Sequence, residues 1–366
     1  MERYIEEKSL RSLEEAILRA EGFSPENAEE IADVLMLSDL YGIESHGAQR
    51  LFFYHQNIRE GIIRVEAEPE VIRSTPVSVL MDGHFAMGHL VGIRAMEEAV
   101  RRAQTAGVGI VTVRNSTHFG IAGYYTKMAA DRGLAAFSMT NSAPLALPTF
   151  GAEKMMGTNP FAFSMPADPF PFWFDASTTV VTLGKVEVYN KREKEMPRGW
   201  VMDGQGGDLQ QAAYANRILL SPEDGGLLPL GGSGETMGGH KGYGLSVMVE
   251  LLTGVLSCGE TAPELAGGSE GHACHFFLAF DPSLFGDPAG IRDRASDYLQ
   301  KLRDSRRQPG HERIFTAGEK AEQTRLRRLR EGIPVDGRTW TEIRTICAEL
   351  GVDHPALARE EESHDL

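Results

Sequence analysis

The sequence of 366 residues is short of cysteine, of positive charge and of long apolar runs, and each shortage excludes a class of protein. Cys258, Cys274 and Cys347 are odd in number and contain no Cys-x-x-Cys spacing, which excludes a disulfide framework and suits a reducing compartment. Lys and Arg total 37 against 52 Asp and Glu, a net charge of −15, so the basic face that would displace counterions from a nucleic acid or an anionic membrane is missing. No nucleic-acid or membrane partner is expected, although a small anion can still sit in a locally positive pocket. The opening "MERYIEEKSL" has no apolar h-region and no apolar run reaches spanning length, so the expected location is cytoplasmic. Neither a G-x-G-x-x-G fingerprint nor a Walker lysine loop occurs.

What is present is a globular composition, 42% hydrophobic and 24% charged, in a chain long enough for two lobes. Leu10, Leu13, Ile17 and Ala20 recur at helical spacing, and Ser24-Pro25 gives a second helix its cap and first residue. A third helix is expected from Ser45 through "SHGAQRLFFYHQNIREG". From residue 76 the pattern changes to short Val-, Ile- and Phe-rich runs alternating with helical stretches, the signature of a helix-covered sheet. "VGIVTV", "LAAFSM", "FAFSMP", "FWFDAS" and "HFFLAF" read as strands. "VGIRAMEEAVRRAQTAG" and "IAGYYTKMAADRG" read as helices, as does "LSVMVELLTGVLS" behind a Gly-rich loop. Residues 203–226 read as loop, and "TRLRRLREG" as a charged amphipathic helix with a solvated face. The expected architecture is α/β (α+β). A mainly helical domain is built from 1–75 and 283–366, and an α/β domain from 76–282 includes the Gly-rich loop and helix at 231–257.

Three stretches can carry chemistry. If the third helix starts near Ser45, then His46, Arg50 and Tyr54 fall at i, i+4 and i+8 and project from one face, offering a proton carrier, a forked cation and a phenol. An ordinary polar surface helix would look the same. In "VRNSTHFGIAGYY" a strand, a polar turn and a helix place His118 where functional side chains gather, and its unperturbed pKa suits proton transfer. A histidine that merely bonds its own turn is the alternative. In "GGHKGYG" glycines at a helix N-terminus, with Lys241, make a seat for an anion such as a pyrophosphate, unless the glycines are only punctuation. In "GHACH" His272, Cys274 and His275 lie close together, but on a strand only His272 and Cys274 share a face and no second ligand pair of standard spacing accompanies them, so no metal is expected.

Taken in order, "GIESHGAQRLFFY", "VRNSTHFGIAGYY", "TNSAP", "GTNPFAFSMP", "FDASTTVVTLGK" and "LLPLGG…GGHKGYGL" resemble the type-2 malate/L-lactate dehydrogenases. These NAD(P)-dependent oxidoreductases lack the Rossmann fold and include ureidoglycolate, sulfolactate and diketogulonate enzymes and a cyclic-imine reductase. The resemblance implies a non-Rossmann cofactor-binding sheet domain, NAD or NADP as cofactor, and a homodimer. It implies cofactor contacts at Ser142, at Asp175, Ala176, Ser177 and Thr178, at Lys241 and Gly242, and at Gly318 and Glu319. It implies that Arg50 and Tyr54 hold the substrate carboxylate, and that His118 or His46 is the acid/base, with His118 slightly favoured. The sequence departs from the family's "DMATS", "QNLGHFF" and "PGE" at Asp175–Thr179, Gly271–Phe277 and Ala317–Glu319. The expected reaction is hydride transfer at C2 of a small 2-hydroxy or 2-oxo acid, with malate/oxaloacetate first. Lactate, ureidoglycolate and sulfolactate stay open as substrates, as do reduction of a cyclic imine carboxylate and, outside enzymes, a dinucleotide-binding sensor.

Overall fold

The computed structural model describes residues 3–266 and 271–358. In chain order these form β1 (Arg3–Ile5), α1 (Glu7–Ala20), α2 (Pro25–Leu40), α3 (Leu51–Arg59), β2 (Glu70–Ser74), β3 (Ser78–Asp82), α4 (Gly88–Ala106), β4 (Val108–Thr117) and α5 (Ala122–Ala130). There follow β5 (Ala135–Thr140), β6 (Phe161–Met165), β7 (Phe172–Ala176), α6 (Leu183–Lys191), β8 (Val201–Asp203), α7 (Ala212–Leu219), β9 (Gly225–Leu227) and α8 (Gly239–Glu250). The last are β10 (His272–Phe280), α9 (Pro288–Asp304), α10 (Glu319–Glu331), β11 (Ile333–Val335), α11 (Gly337–Leu350) and α12 (Pro355–Ala358).

The two ends of the chain share one core. Leu10, Leu13 and Ile17 of α1 are buried with Ile31 and Leu35 of α2, Leu51 and Tyr54 of α3, and Trp340, Ile343 and Ile346 of α11, while β1 pairs antiparallel with β11. Ala20, at the end of α1, is exposed. Ser24 caps α2 as its residue type requires, accepting the Asn27 N–H at 3.2 Å.

A mixed seven-stranded sheet in the order β2-β3-β4-β10-β5-β6-β7 forms the centre. Only β3 and β4 are parallel, connected by α4, and the remaining pairs are antiparallel, so this is not a doubly wound parallel sheet. The near-continuous apolar run of β4 fits its central place. Helices α4 and α5 bury Val91, Ala95, Ala99, Tyr125 and Ala129 on the sheet with Val111, Val113 and Phe277, and Val249 of α8 packs with Met139 and Phe276.

Four local expectations need correction. The third helix does not begin at Ser45. Two 3-10 turns, Glu44–His46 and Ala48–Arg50, precede α3, with Gly47 between them at φ −98°, ψ −142°. The cause is Asp39, whose Oδ2 accepts the Ala48 N–H at 2.8 Å and whose carboxylate fills the space a Cβ on Gly47 would need, 2.1 Å from Oδ1. His46, Arg50 and Tyr54 therefore do not share one helical face. The polar "RNST" is not a turn but the end of β4, which pairs Ser116 and Thr117 with β10 across a bulge between Ala273 and His275. Residues 203–226 are not a loop, because α7 and β9 lie there and, with α6 and β8, bury Val186, Val201, Ala215, Ile218 and Leu227 in a core of their own. The charged α10 does not present only a solvated face either: Arg328 is buried, bonded to the Asp39 carbonyl and to Glu44.

Candidate active site

β4 and α3 bring the first group of polar side chains together. His118 follows β4 directly, its backbone N–H bonded to the Gly271 carbonyl at 3.0 Å. The Tyr54 hydroxyl of α3 lies 2.7 Å from His118 Nδ1, and the same oxygen lies 3.4 Å from Nε2 of His89 in the first turn of α4. The His46 ring stacks on His118 with centroids 5.5 Å apart and its Nδ1 lies 2.8 Å from Ser45 Oγ, while Phe53 meets His118 edge-on at 5.9 Å. Arg50 passes over the Phe53 ring at 5.8 Å and is anchored by its Nε to the Ser45 carbonyl at 2.7 Å. None of the described hydrogen bonds uses the Nη atoms of Arg50 or Nε2 of His118.

Glycines permit this crowding. A Cβ on Gly88 would stand 2.1 Å from the Thr117 carbonyl oxygen and 2.5 Å from that of His118, so only glycine lets α4 start against the end of β4. The Gly88 N–H donates to Thr117 Oγ1 at 2.8 Å. Burial lowers the pKa of every imidazole here. His46 is held down to about 3, first by desolvation and then by the Arg50 charge. His118 lies well below the usual histidine range, first by desolvation, then through His46 and Arg50. His89 and His275 are each lowered to about 3, again mainly by burial. Four neutral imidazoles result, each with a nitrogen lone pair, although the neighbouring guanidinium disfavours the imidazolium at His46 and His118.

A second group gathers around the Gly-rich loop. Ser142 Oγ accepts the Thr158 N–H at 3.2 Å, the Thr158 carbonyl accepts both N–H and Oγ–H of Thr178, and the Thr178 carbonyl accepts the Leu230 N–H at 2.8 Å. Gly242 closes the series, since a Cβ there would stand 2.1 Å from the Leu230 carbonyl. Ser142, Thr178 and Gly242 are thus linked by backbone into one wall. Gly231, Gly232, Gly234 and Gly238 all adopt positive φ, and α8 starts after Gly238 without a side-chain cap, with Lys241 exposed in its first turn. The His240 and Lys241 N–H groups are bonded to the Gly234 and Gly238 carbonyls, so what this helix start offers to phosphate oxygens is chiefly the exposed Lys241 ammonium, beside glycines that allow close approach. A cavity of about 370 Å³ adjoins the loop, lined by Phe150, Asp203, Gln205, Pro229, Ser233 and Gly234. From Thr178 the chain runs to Gly184, where a Cβ would meet Ser45 at 3.6 Å, so this wall reaches the His46 turn.

The other sequence candidates sit in different surroundings. Asp175 Oδ2 accepts the Gly123 N–H at 2.7 Å near the start of α5, and its pKa is pushed up to about 6, by burial against that hydrogen bond. Ala176 ends β7 opposite Phe161, and Ser177 Oγ donates to the Thr179 carbonyl at 3.2 Å. Gly318, at φ +90°, packs on Trp173, and the Glu319 carboxylate is bonded to Arg303 and Arg313 of its own chain. Of the "GHACH" residues, His272 and Cys274 face Glu260, whereas His275 is sandwiched between Thr140 and Ser116 on the other side. Sequence reasoning missed His89, which has no motif around it. It also missed the buried Glu250, which ties Asn141, Asn159 and the Ala262 N–H together at 2.8–2.9 Å.

Comparison with known proteins matches this architecture. The sequence model of the malate/L-lactate dehydrogenase family covers residues 5–344. Malate dehydrogenase of Pyrococcus abyssi is 42% identical over 342 residues, covering 92% of each chain. L-sulfolactate dehydrogenase of Methanocaldococcus jannaschii is 30% identical over 341 residues, covering 92% of this chain and 94% of its own. The crystal structure of malate dehydrogenase from Entamoeba histolytica superposes with a TM-score of 0.93 at 33% identity, covering 97% of this chain and 100% of that one. On the family model, the identity to the Pyrococcus enzyme and the superposition, the chain belongs to the malate/L-lactate dehydrogenase family.

Proposed function

We propose that the protein is an NAD(P)-dependent dehydrogenase that interconverts a 2-hydroxy acid and its 2-oxo acid, with malate and oxaloacetate as the pair. The observation that carries this reading is the pairing of His118 with Arg50. The imidazole is neutral and steered through Nδ1 by Tyr54, and the guanidinium is held by Nε with its two Nη groups uncommitted. Arg50 grips the substrate carboxylate in two-pronged fashion and so fixes which face of C2 is presented. His118 Nε2 takes the hydroxyl proton in oxidation and returns it in reduction, with His46 stacked behind it. Bound NAD or NADP supplies the hydride acceptor or donor at the nicotinamide C4. Ser142, Thr178 and Gly242 form the wall along which the dinucleotide lies, and Lys241 offsets the pyrophosphate charge. Asp175, Ala176, Ser177, Gly318 and Glu319 add further cofactor contacts from β7 and the start of α10. Tyr54, 1% exposed, serves the substrate through His118 rather than by touching the carboxylate.

The working form is a homodimer in the cytoplasm. Met248, Leu251, Val255 and Leu256 follow one face of α8 and the π-helical turn after it, each between 37% and 52% exposed, an apolar stripe that a second copy would cover. No described helix is long and apolar enough to cross a membrane. The unpaired cysteines suit a reducing compartment. The chain divides into a helical domain, 1–75 with 283–366, and a sheet domain, 76–282; the shared core of α1, α2, α3 and α11 supports the first. β2 hydrogen-bonds to β3, so the sheet itself begins before that boundary.

The test is turnover of NADH and NADPH with oxaloacetate, pyruvate, sulfopyruvate and a cyclic imine carboxylate. Oxaloacetate is expected to react fastest. Preference for sulfopyruvate or pyruvate would move the substrate within the family. Binding of cofactor with no turnover of any 2-oxo acid, nor of the matching hydroxy acids, would overturn the reading in favour of a dinucleotide sensor.

A further inference from the structure

We infer that Glu250 is a positioning residue for the cofactor: its buried carboxylate clamps Asn141 to Asn159 and thereby sets the hydroxyl of Ser142 at the start of the cofactor wall. The inference rests on the reading of Ser142, Thr178 and Gly242 as that wall.

Asn141 directly follows β5, Asn159 stands just before β6, and Glu250 is the last residue of α8. Glu250 Oε1 accepts Asn141 Nδ2 at 2.9 Å and the Ala262 N–H at 2.8 Å, and its Oε2 accepts Asn159 Nδ2 at 2.9 Å. Other bonds fix which way the two amides point. Asn141 Oδ1 accepts the Cys274 N–H at 2.8 Å, and its Nδ2 also donates to the Glu260 carbonyl at 2.9 Å. Asn159 Nδ2 also donates to the Ser246 carbonyl at 3.1 Å. Both amides therefore turn their N–H groups to Glu250, whose two oxygens act only as acceptors in these bonds.

One residue further along each chain segment, Ser142 Oγ accepts the Thr158 N–H at 3.2 Å. Glu250, Asn141-Ser142 and Thr158-Asn159 thus close a ring. The ring has little slack. A Cβ on Gly157 would stand 2.4 Å from Ser142 Oγ and 2.6 Å from Asn159 Oδ1, and one on Gly254 would stand 3.2 Å from Asn141 Nδ2. Asn159 is held at φ +39°, a backbone state that residues with a side chain rarely adopt. With a lone pair engaged by Thr158, the Ser142 hydroxyl keeps its proton for a ligand, since its contact with the Ala143 carbonyl is 3.5 Å long.

The ring reaches the rest of the wall by two routes. The Thr158 carbonyl accepts from Thr178, so the tilt of that peptide sets the next member of the wall. α8 itself has Gly242 in its first turn and Glu250 at its end, so one helix touches the wall at both places. The π-helical turn Leu251–Val255 that follows brings Gly254 past Asn141, and such insertions gather at functional sites. A carboxylate kept for packing alone would be better replaced by an apolar side chain. Glutamine has the same size but cannot substitute for it here. Whichever way its amide turns, the NH2 faces donors, either Asn159 Nδ2 or Asn141 Nδ2 with the Ala262 N–H. Turning Asn159 to answer it would put Oδ1 against the Ser246 carbonyl.

The test compares Glu250→Gln, Ser142→Ala, their double variant and Glu250→Asp, each checked for folding by its thermal transition. NADH affinity is read by fluorescence titration, kcat and KM by initial rates, and local opening by amide hydrogen exchange of the protein without cofactor. Glu250→Gln is expected to weaken NADH binding about tenfold, with kcat at saturating cofactor within about threefold and KM for the 2-oxo acid nearly unchanged. Amides of residues 141–146 and 156–161 should exchange faster in it, while those of α1 and α2 keep their rates. Ser142→Ala should weaken NADH by a similar factor, and the double variant should lose little more, because both changes act on one ring. Glu250→Asp, one methylene short, should fall between Glu250→Gln and the wild type. Wild-type NADH affinity in folded Glu250→Gln, additive losses in the double variant, or faster exchange throughout the chain rather than in these segments would each overturn the inference. If Glu250→Gln does not fold, the same readings are made on Glu250→Asp, and wild-type affinity and exchange there count against it. Unchanged NADH affinity in Ser142→Ala would defeat the reading of Ser142 as part of the wall. Weakened affinity in Ser142→Ala with unchanged exchange in Glu250→Gln would defeat the role of Glu250 alone.

Discussion

The surroundings of His118 and those of Lys241 are built in opposite ways. Around His118 the chain supplies partners to its own polar atoms: Tyr54, His89, Ser45 and the Gly271 carbonyl. Around Lys241 the backbone is wound through positive φ at Gly231, Gly232, Gly234 and Gly238, the helix start has no side-chain cap, and the ammonium is exposed. The difference teaches that, under the proposed function, the fold itself sets the proton site, where a small error in distance is costly, while it leaves the proposed anion seat exposed. Burial is the instrument in the first case and its avoidance in the second.

Arg50 combines both features, with its Nε anchored to the Ser45 carbonyl and its Nη atoms in no described hydrogen bond. Arg50→Ala should raise KM for the 2-oxo acid about a hundredfold, as expected for a charged hydrogen-bonding pair. Arg50→Lys should recover little of this, because the fork is lost. Initial rates across substrate concentration check both, and a KM within twofold of wild type would remove Arg50 from the substrate. Next, Gly88→Ala should destabilise the fold by about 2 kcal/mol, since its Cβ has no room between the Thr117 and His118 carbonyls. Urea unfolding measures this, and an unchanged midpoint would show that the proton site is less rigid than described.

The sequence disclosed the two regions unequally. The helical spacing of Leu10, Leu13 and Ile17 and the apolar run of β4 are local signals, and they led to the right elements. The motifs containing His46, Arg50, His118 and Lys241 could be singled out because within each short stretch the polar and glycine residues stand together along the chain. What stayed hidden depends on distant partners. Gly47 breaks the expected third helix only because Asp39 occupies the space beside it. The polar "RNST" becomes strand only because β10 returns from far along the chain to pair with it. His89 reaches the site by packing of α4 against the end of β4, and no periodicity announces that.

The buried imidazoles also set a pH dependence. His275, 0% exposed and bonded to Thr140 and Ser116, has a folded pKa near 3, below the 6.5 of an ordinary histidine. The unfolded chain therefore binds a proton that the folded one refuses between those values. The contribution of His275 to stability is present above pH 6.5 and is lost as pH falls toward 3. His275→Gln should flatten the loss of stability over this window by up to about 1.4 kcal/mol per pH unit, read from urea midpoints at several pH values. Equal slopes for variant and wild type would contradict the buried, neutral assignment. Smallest of all, Lys241→Ala should weaken NADH binding about three- to fivefold at low salt, and less at high salt, as fits an exposed charge. Fluorescence titration reads it, and a salt-independent loss would place Lys241 in a buried contact.

The central claim is that His118, with His46 stacked behind it, carries the proton. The most direct measurement is kcat for malate oxidation in His118→Gln and His46→Gln, with NADH affinity of each measured alongside. The account predicts a loss of about a hundredfold or more in kcat for His118→Gln at unchanged NADH affinity, with a smaller loss for His46→Gln. Wild-type turnover in His118→Gln together with a collapse in His46→Gln would contradict it and transfer the acid/base role to His46.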